Sequence, residues 1–201
     1  MSKKKDILNL DGFSIGGIRD LLAQTDSFAE ILKRDIKKVP ALRGKTIINL
    51  FFEPSTRTKV SFEIAAKRLS ADLINFAPSS SSLKKGETEI DTLKTINAMK
   101  TDLVIIRHSD SGYINYFAKE IPVPLINAGD GKHEHPTQAL LDLYTIYKKF
   151  QEFNGLKVAI VGDVLNSRVA RSDIKLFKKM GMDITVVAPS MLMPENFKFF
   201  D

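Results

Sequence analysis

Residues 45–63 read Lys45-Thr46-Ile47-Ile48-Asn49-Leu50-Phe51-Phe52-Glu53-Pro54-Ser55-Thr56-Arg57-Thr58-Lys59-Val60-Ser61-Phe62-Glu63. An apolar run bounded by Lys45 and Pro54 has the length of a buried strand, and Pro54 turns the chain. Phe62, Ala65, Ala66 and Leu69 then fall at i, i+3, i+4 and i+7, which predicts a helix. Similar apolar runs at 73–77, 102–107, 122–127, 156–161 and 183–188 predict five more strands, each covered on both faces. Helical patterns lie between them. Thr88 and Asp91 form a capping box before Leu93, Ile96 and Met99; Thr137 is placed to cap a helix with Leu140, Leu143, Tyr144 and Tyr147. Ser167 caps another with Ala170, Ile174 and Phe177, closed by Gly181. Two further helices, 15–23 and 28–38, precede the first strand. The alternation gives an α/β fold: two doubly wound parallel-sheet domains, the second only partly present.

A polar break at Lys148-Lys149, Gln151, Glu152, Asn154 and Gly155 separates the two units, 1–150 and 151–201. The second is short against the ~100–150 residues of a free-standing domain. Its unfinished sheet is expected to expose apolar residues at 158–161 and 184–187 and to be cut early by proteases. Ser79-Ser80-Ser81-Ser82-Leu83-Lys84-Lys85-Gly86 reads as a mobile exposed loop, and residues 127–132 look mobile as well.

Composition narrows the function. With 201 residues, 43% hydrophobic and 27% charged, the chain has ordinary globular make-up. It contains no apolar run of the roughly 18 residues that span a membrane. No signal-peptide core follows Met1, and zero cysteines exclude disulfides, thiolate metal sites and a Cys nucleophile. A soluble, cytoplasmic protein is expected. The net charge of +6 comes from 30 Lys and Arg scattered among 24 acids, which reads as solvated faces and a small anionic substrate rather than nucleic acid.

Where Ser55, Thr56, Arg57 and Thr58 open a helix, first-turn N–H groups, hydroxyls and a guanidinium converge, and phosphate is their natural guest. Neither a Walker loop nor a GxGxxG motif is present, so the anion belongs to a small phosphorylated substrate and no cofactor is expected. Arg107-His108 ends a strand, where open α/β sheets bind ligands. His135-Pro136-Thr137-Gln138 starts a helix, and its imidazole and carboxamide suit a carbonyl and an amide of one ligand. Only three histidines exist in the chain, which argues against a metal at His133 and His135.

Phe-Phe-Glu-Pro-Ser-Thr-Arg-Thr followed by His-Pro-Thr-Gln, each leading into a helix, resembles the aspartate/ornithine carbamoyltransferase family. Lys84-Lys85-Gly86-Glu87-Thr88 looks like its aspartate branch. The resemblance runs over the whole chain but matches only about the first two-thirds of a family chain. It implies that Ser55, Thr56, Arg57 and Thr58 hold the phosphate of carbamoyl phosphate. Arg107, His135 and Gln138 would address the carbamoyl end, and Arg168 would grip a carboxylate of L-aspartate. Ser81 and Lys85 match a loop given to a neighbouring subunit, which implies a homotrimer; Lys85 would also meet aspartate. A regulatory chain is a further partner the resemblance admits. It implies direct attack of the aspartate amino group on the carbamoyl carbon, with neutral His135 donating a hydrogen bond and Arg57, Thr58, Arg107, His135 and Lys85 as the catalytic set. An aspartate-binding Arg and a returning helix of the family lie past residue 201, so weak turnover of aspartate by the chain alone is expected. Ornithine transcarbamoylation and a non-enzymatic phosphate-binding module are the alternatives.

Overall fold

The computed structural model describes residues 6–76 and 88–195. Helix α1 (Ile15–Ile31) precedes β1 (Thr46–Phe51), α2 (Thr56–Arg68), β2 (Asp72–Phe76), α3 (Glu89–Ala98), β3 (Leu103–His108), α4 (Tyr113–Glu120) and β4 (Leu125–Asp130). After α5 (Pro136–Phe150) come β5 (Lys157–Val161), α6 (Arg168–Lys179) and β6 (Asp183–Val187).

The first four strands form one parallel sheet in the order β2-β1-β3-β4. Connections run outward in opposite directions from β1 and β3, so their C-terminal ends frame the crevice where such sheets take ligands. Register puts Ile47 beside Leu103 and Phe51 beside Arg107. Alternation sends Ile47 and Ile105 to one face, under Ala66 of α2. Ile48, Leu50, Val104 and Ile106 go to the other, under Leu93, Ile96, Ile114 and Phe117 of α3 and α4. Asn49, fully buried in β1, donates to the Lys59 carbonyl and to Asn75, which locks α2 to the sheet.

The β5–β6 pair is a separate parallel sheet. Its Val158, Ile160, Ile184 and Val186 pack toward α6. Leu176, Phe177 and Met180 of α6 share a core with Ala139 and Leu143 of α5, Ile18 and Leu22 of α1, and Phe153. Lys179 ties the N-terminal segment down by donating to the carbonyls of Leu10, Asp11 and Phe13.

Several expectations need correcting. The two N-terminal helices are one, α1, because Thr25 and Ser27 bond back to the Leu21 and Ala23 carbonyls instead of breaking it. Asp26 between them accepts from Tyr144 and Lys148 of α5. Residues 32–38 are turn and irregular backbone. His135, not Thr137, is the N-cap of α5, since Pro136 takes the first helical position. β4 begins three residues later than the apolar run 122–127, because Pro122 and Pro124 have no N–H for a ladder.

The mobile look of residues 127–132 is misleading. Asn127, Ala128, Gly129, Asp130 and Gly131 are buried, and the Asp130 carboxylate accepts from the Gly112 N–H and lies 3.0 Å from His133. Nor are all strands covered twice. β2 is an edge strand, and Ala159, Val161, Thr185 and Val187 turn an exposed face away from α6. The capping box at Thr88, the Ser167 cap and the left-handed Gly181 that ends α6 follow the pattern expected. The serine–lysine loop lies outside the described residues.

Candidate functional site

The crevice above β1 and β3 holds a cleft of about 780 Å³. On its first side β1 ends, Glu53 and Pro54 turn the chain, and Ser55 enters α2 in an extended conformation. Ser55 makes no side-chain cap bond, so the first-turn N–H groups are left to a guest. Ser55, Arg57 and Thr58 line the cleft. Thr56 is exposed and does not.

On the second side, Arg107 leaves the end of β3. Its Nη1 donates to the Ala128 carbonyl (3.2 Å), and its Nε lies 3.1 Å from Glu53 Oε2, an ion pair too bent to be a hydrogen bond. Arg168, the first residue of α6, donates from Nη2 to both Glu53 oxygens at 2.9 Å. Its Nη1 is buried with no hydrogen-bond partner among the described residues. Burial and the Arg168 charge both oppose ionisation of Arg107, and Glu53 supports it.

Two functional residues escaped the sequence. Glu53 stands in the sequence as one residue of the strand-end turn, yet it pairs with two arginines from distant elements. Gly129 is the second. Its φ is +128°, and a Cβ there would stand 2.8 Å from Arg168 Nη1 and 2.9 Å from Arg107 Nη1. The signal for it was a glycine at a strand end, but its meaning depends on side chains far away in sequence.

The third side is the start of α5. His135 is 6% exposed, and its backbone N–H donates to Ser172 Oγ at 2.9 Å. The Ser172 hydroxyl in turn donates to Glu134, whose other oxygen takes Lys175 Nζ at 2.8 Å. This chain of bonds pins the α5 turn to α6. Burial first, then the charges of Arg107 and Arg168, bring the His135 imidazole down to about 4. It is therefore a neutral hydrogen-bonding group at neutral pH. Gln138 completes this wall, its Nε2 donating to Asp142 at 3.1 Å.

Ser55, Arg57, Thr58, Arg107, His135, Gln138 and Arg168 thus meet in one cleft. Ser81 and Lys85 lie outside the described residues. Among the described residues the arrangement sets three guanidinium groups against the carboxylate of Glu53, a positive balance suited to a dianion. His133 belongs elsewhere, paired with Asp130. His108 is buried at the end of β3, 3.1 Å from Glu89 and stacked on Tyr113, and does not line the cleft. No group of three or more possible metal ligands occurs among the described residues.

Residues 5–148 match the family model for the carbamoyl-P binding domain of aspartate/ornithine carbamoyltransferases. The chain is 54% identical over 196 residues to the aspartate carbamoyltransferase catalytic subunit of Geobacter sulfurreducens, covering 98% of this chain and 63% of that one. To the same subunit of Pelobacter propionicus it is 53% identical over 192 residues, covering 96% and 62%. Aspartate transcarbamoylase of Trypanosoma cruzi, solved with N-(phosphonacetyl)-L-aspartic acid, superposes with a TM-score of 0.90 at 34% identity, over 96% of this chain and 63% of that one. The catalytic subunit from M. jannaschii gives 0.86 at 34% identity, over 95% and 63%. The chain spans 62–63% of the length of these curated relatives. On fold, motif placement and these likenesses together, it belongs to the aspartate/ornithine carbamoyltransferase family.

Proposed function

We propose that the cleft binds carbamoyl phosphate and that the chain serves an aspartate carbamoyltransferase, which passes the carbamoyl group to the α-amino group of L-aspartate and releases phosphate and N-carbamoyl-L-aspartate for pyrimidine synthesis. The observation that carries this reading is the uncapped start of α2, which brings Arg57 into one cleft with Arg107 and Arg168 against the Glu53 carboxylate. Solved T. cruzi relatives are complexes with carbamoyl phosphate, with aspartate and phosphate, and with the phosphonacetyl-aspartate inhibitor, which supports the same ligands here.

In this reading residues 1–150 form the carbamoyl-phosphate-binding domain and residues 151–201 the start of the aspartate-binding domain. Ser55, Thr58 and the backbone N–H groups of Thr56, Arg57 and Thr58 take the phosphate. Arg57 neutralises it. Arg107, neutral His135 and Gln138 take the carbamoyl end, and Arg168 takes an aspartate carboxylate. The amino nitrogen of aspartate forms a bond to the carbamoyl carbon, a tetrahedral species follows, its C–O bond to phosphate breaks, and the proton lost by the nitrogen leaves on the phosphate. Negative charge grows on the carbonyl oxygen and then on the leaving phosphate, where Arg57, Thr58, Arg107 and His135 donate. Loss of one such donor costs about 10²–10³-fold in rate. Holding two anions in line supplies a further share.

The proposal includes a cytoplasmic homotrimer in which Ser81 and Lys85 complete the site of a neighbouring copy. Val60 and Ile64, one turn apart on α2, and Ile74 on the edge strand are exposed apolar residues that favour such an assembly. Calorimetric titration of the chain with carbamoyl phosphate, followed by assays for carbamoyl-aspartate and citrulline, tests the function. Binding with carbamoyl-aspartate as product supports it. Citrulline as the product, or no binding, overturns it.

A further inference from the structure

The carboxamide of Gln138 has two ends of opposite chemistry: Nε2 gives hydrogens and Oε1 takes them. Which end faces the cleft decides what the wall can recognise. One helical turn on, Asp142 settles the matter by accepting from Nε2 at 3.1 Å. An ionised carboxylate only accepts, so the opposite orientation of the amide would set two acceptors against each other. Burial raises the Asp142 carboxyl above the ordinary carboxylate range, and the bond from Gln138 draws it back. Asp173 on α6 feels the charge of Asp142. Burial and the charge of Asp142 bring Asp173 up to about 7, and its Oδ1 has no hydrogen-bond partner among the described residues.

We infer that Asp142 is a positioning residue: it holds Gln138 with Oε1 toward the cleft and so makes the site select an acyl phosphate whose acyl group carries N–H donors, a carbamoyl group, over one carrying a methyl group. The inference rests on the reading of the cleft as a carbamoyl-phosphate site and deepens it. The NH2 and CH3 groups are close in size, so shape separates them poorly. An acceptor aimed at that position separates them well, because a methyl would leave Oε1 desolvated and unpaired. Asp142 meets no ligand itself and acts only through Gln138.

Two stable phosphonates of nearly equal shape, phosphonoacetamide and acetonylphosphonate, test this by calorimetry on the whole chain. The wild type should prefer the amide by about tenfold, the worth of one hydrogen bond with its desolvation penalty. In Asp142→Asn either orientation of Gln138 can be satisfied, and the preference should shrink to about twofold with acetonylphosphonate binding unchanged. A preference that survives in Asp142→Asn, or an equal loss for both ligands, overturns the inference and leaves the phosphate cleft standing. If neither phosphonate binds the wild type, the cleft reading itself fails and the inference falls with it. A measurement on the wild type keeps the inference testable if the variant does not fold. The Gln138 side-chain amide hydrogens should exchange slowly with solvent in the free protein, and exchange as fast as in free glutamine overturns it.

Discussion

A methyl group at position 129 would collide with the two guanidinium groups that form the floor of the cleft. It would also demand a φ that side chains rarely adopt. Gly129→Ala is therefore expected to lower stability by about 1–3 kcal/mol and to weaken phosphonate binding at least about tenfold. Thermal melts and calorimetry check the two effects separately. Glu53 gives the opposite pairing of outcomes. It occupies the Nη2 donors of Arg168 and offsets the charge of Arg107, both of which an anion could use. Glu53→Gln should bind inorganic phosphate several-fold more tightly while losing about 1–3 kcal/mol of stability, because two half-buried cations lose their counter-charge. Neither residue could be assigned from sequence. The Glu53–Arg168 bond joins residues 115 positions apart, and no local pattern reports such a pairing. Ser55, Arg57 and His135 were legible because strand-end turns and helix starts are local events with their own residue signatures.

At the scale of elements, α5 and α6 hold two titratable groups whose pH dependences run in opposite directions. His135, held down to about 4, is harder to protonate folded than unfolded, so its contribution to stability is lost as pH falls from about 6.5 toward 4. Asp173, raised to about 7, costs stability in full above pH 7, and that cost is relieved as pH falls toward its ordinary value. The two slopes offset each other between pH 6.5 and 4. Asp173→Asn should stabilise the protein by roughly 1–3 kcal/mol at pH 8 and by nothing measurable at pH 4, which leaves a steeper acid loss. Denaturant titrations across that range read the difference directly. Element boundaries were less legible than element types. Pro122 and Pro124 displaced β4, and the asparagine, glycine and aspartate that close it read as loop because Asn127 bonds to Leu8, Asp130 to Gly112 and His133, and Gly129 to the Asn127 side chain, all distant or side-chain partners.

For the molecule as a whole, Phe153 is the joint between the two sheets. It is 1% exposed, packs against Tyr147, and lies under the Arg19 guanidinium. The polar stretch around it looked in sequence like a loose connection. The neighbouring Glu152 carboxylate in fact accepts from the backbone of Phe153 and Asn154. Phe153→Ala should cost about 3–5 kcal/mol and open residues 151–156 to proteases. Contrary to the early cut expected from sequence, the wild type should resist cleavage there, because Phe153 is buried and Glu152 holds the backbone. Exposed apolar residues on β5 and β6 were expected from the shortness of the second unit, but their confinement to one alternating face was not. Nor was the strength of the pair's anchorage, since that comes from α6 meeting α5 and α1.

The three bonds from Lys179 to the carbonyls of residues 10, 11 and 13 have a consequence in time. Ile7, bridged to Ile126 of β4, shares it. Both attachments wait for partners synthesised more than a hundred positions later, so this early stretch leaves the ribosome well ahead of the groups that seat it. Until those partners emerge, the backbone polar groups they satisfy are left to water.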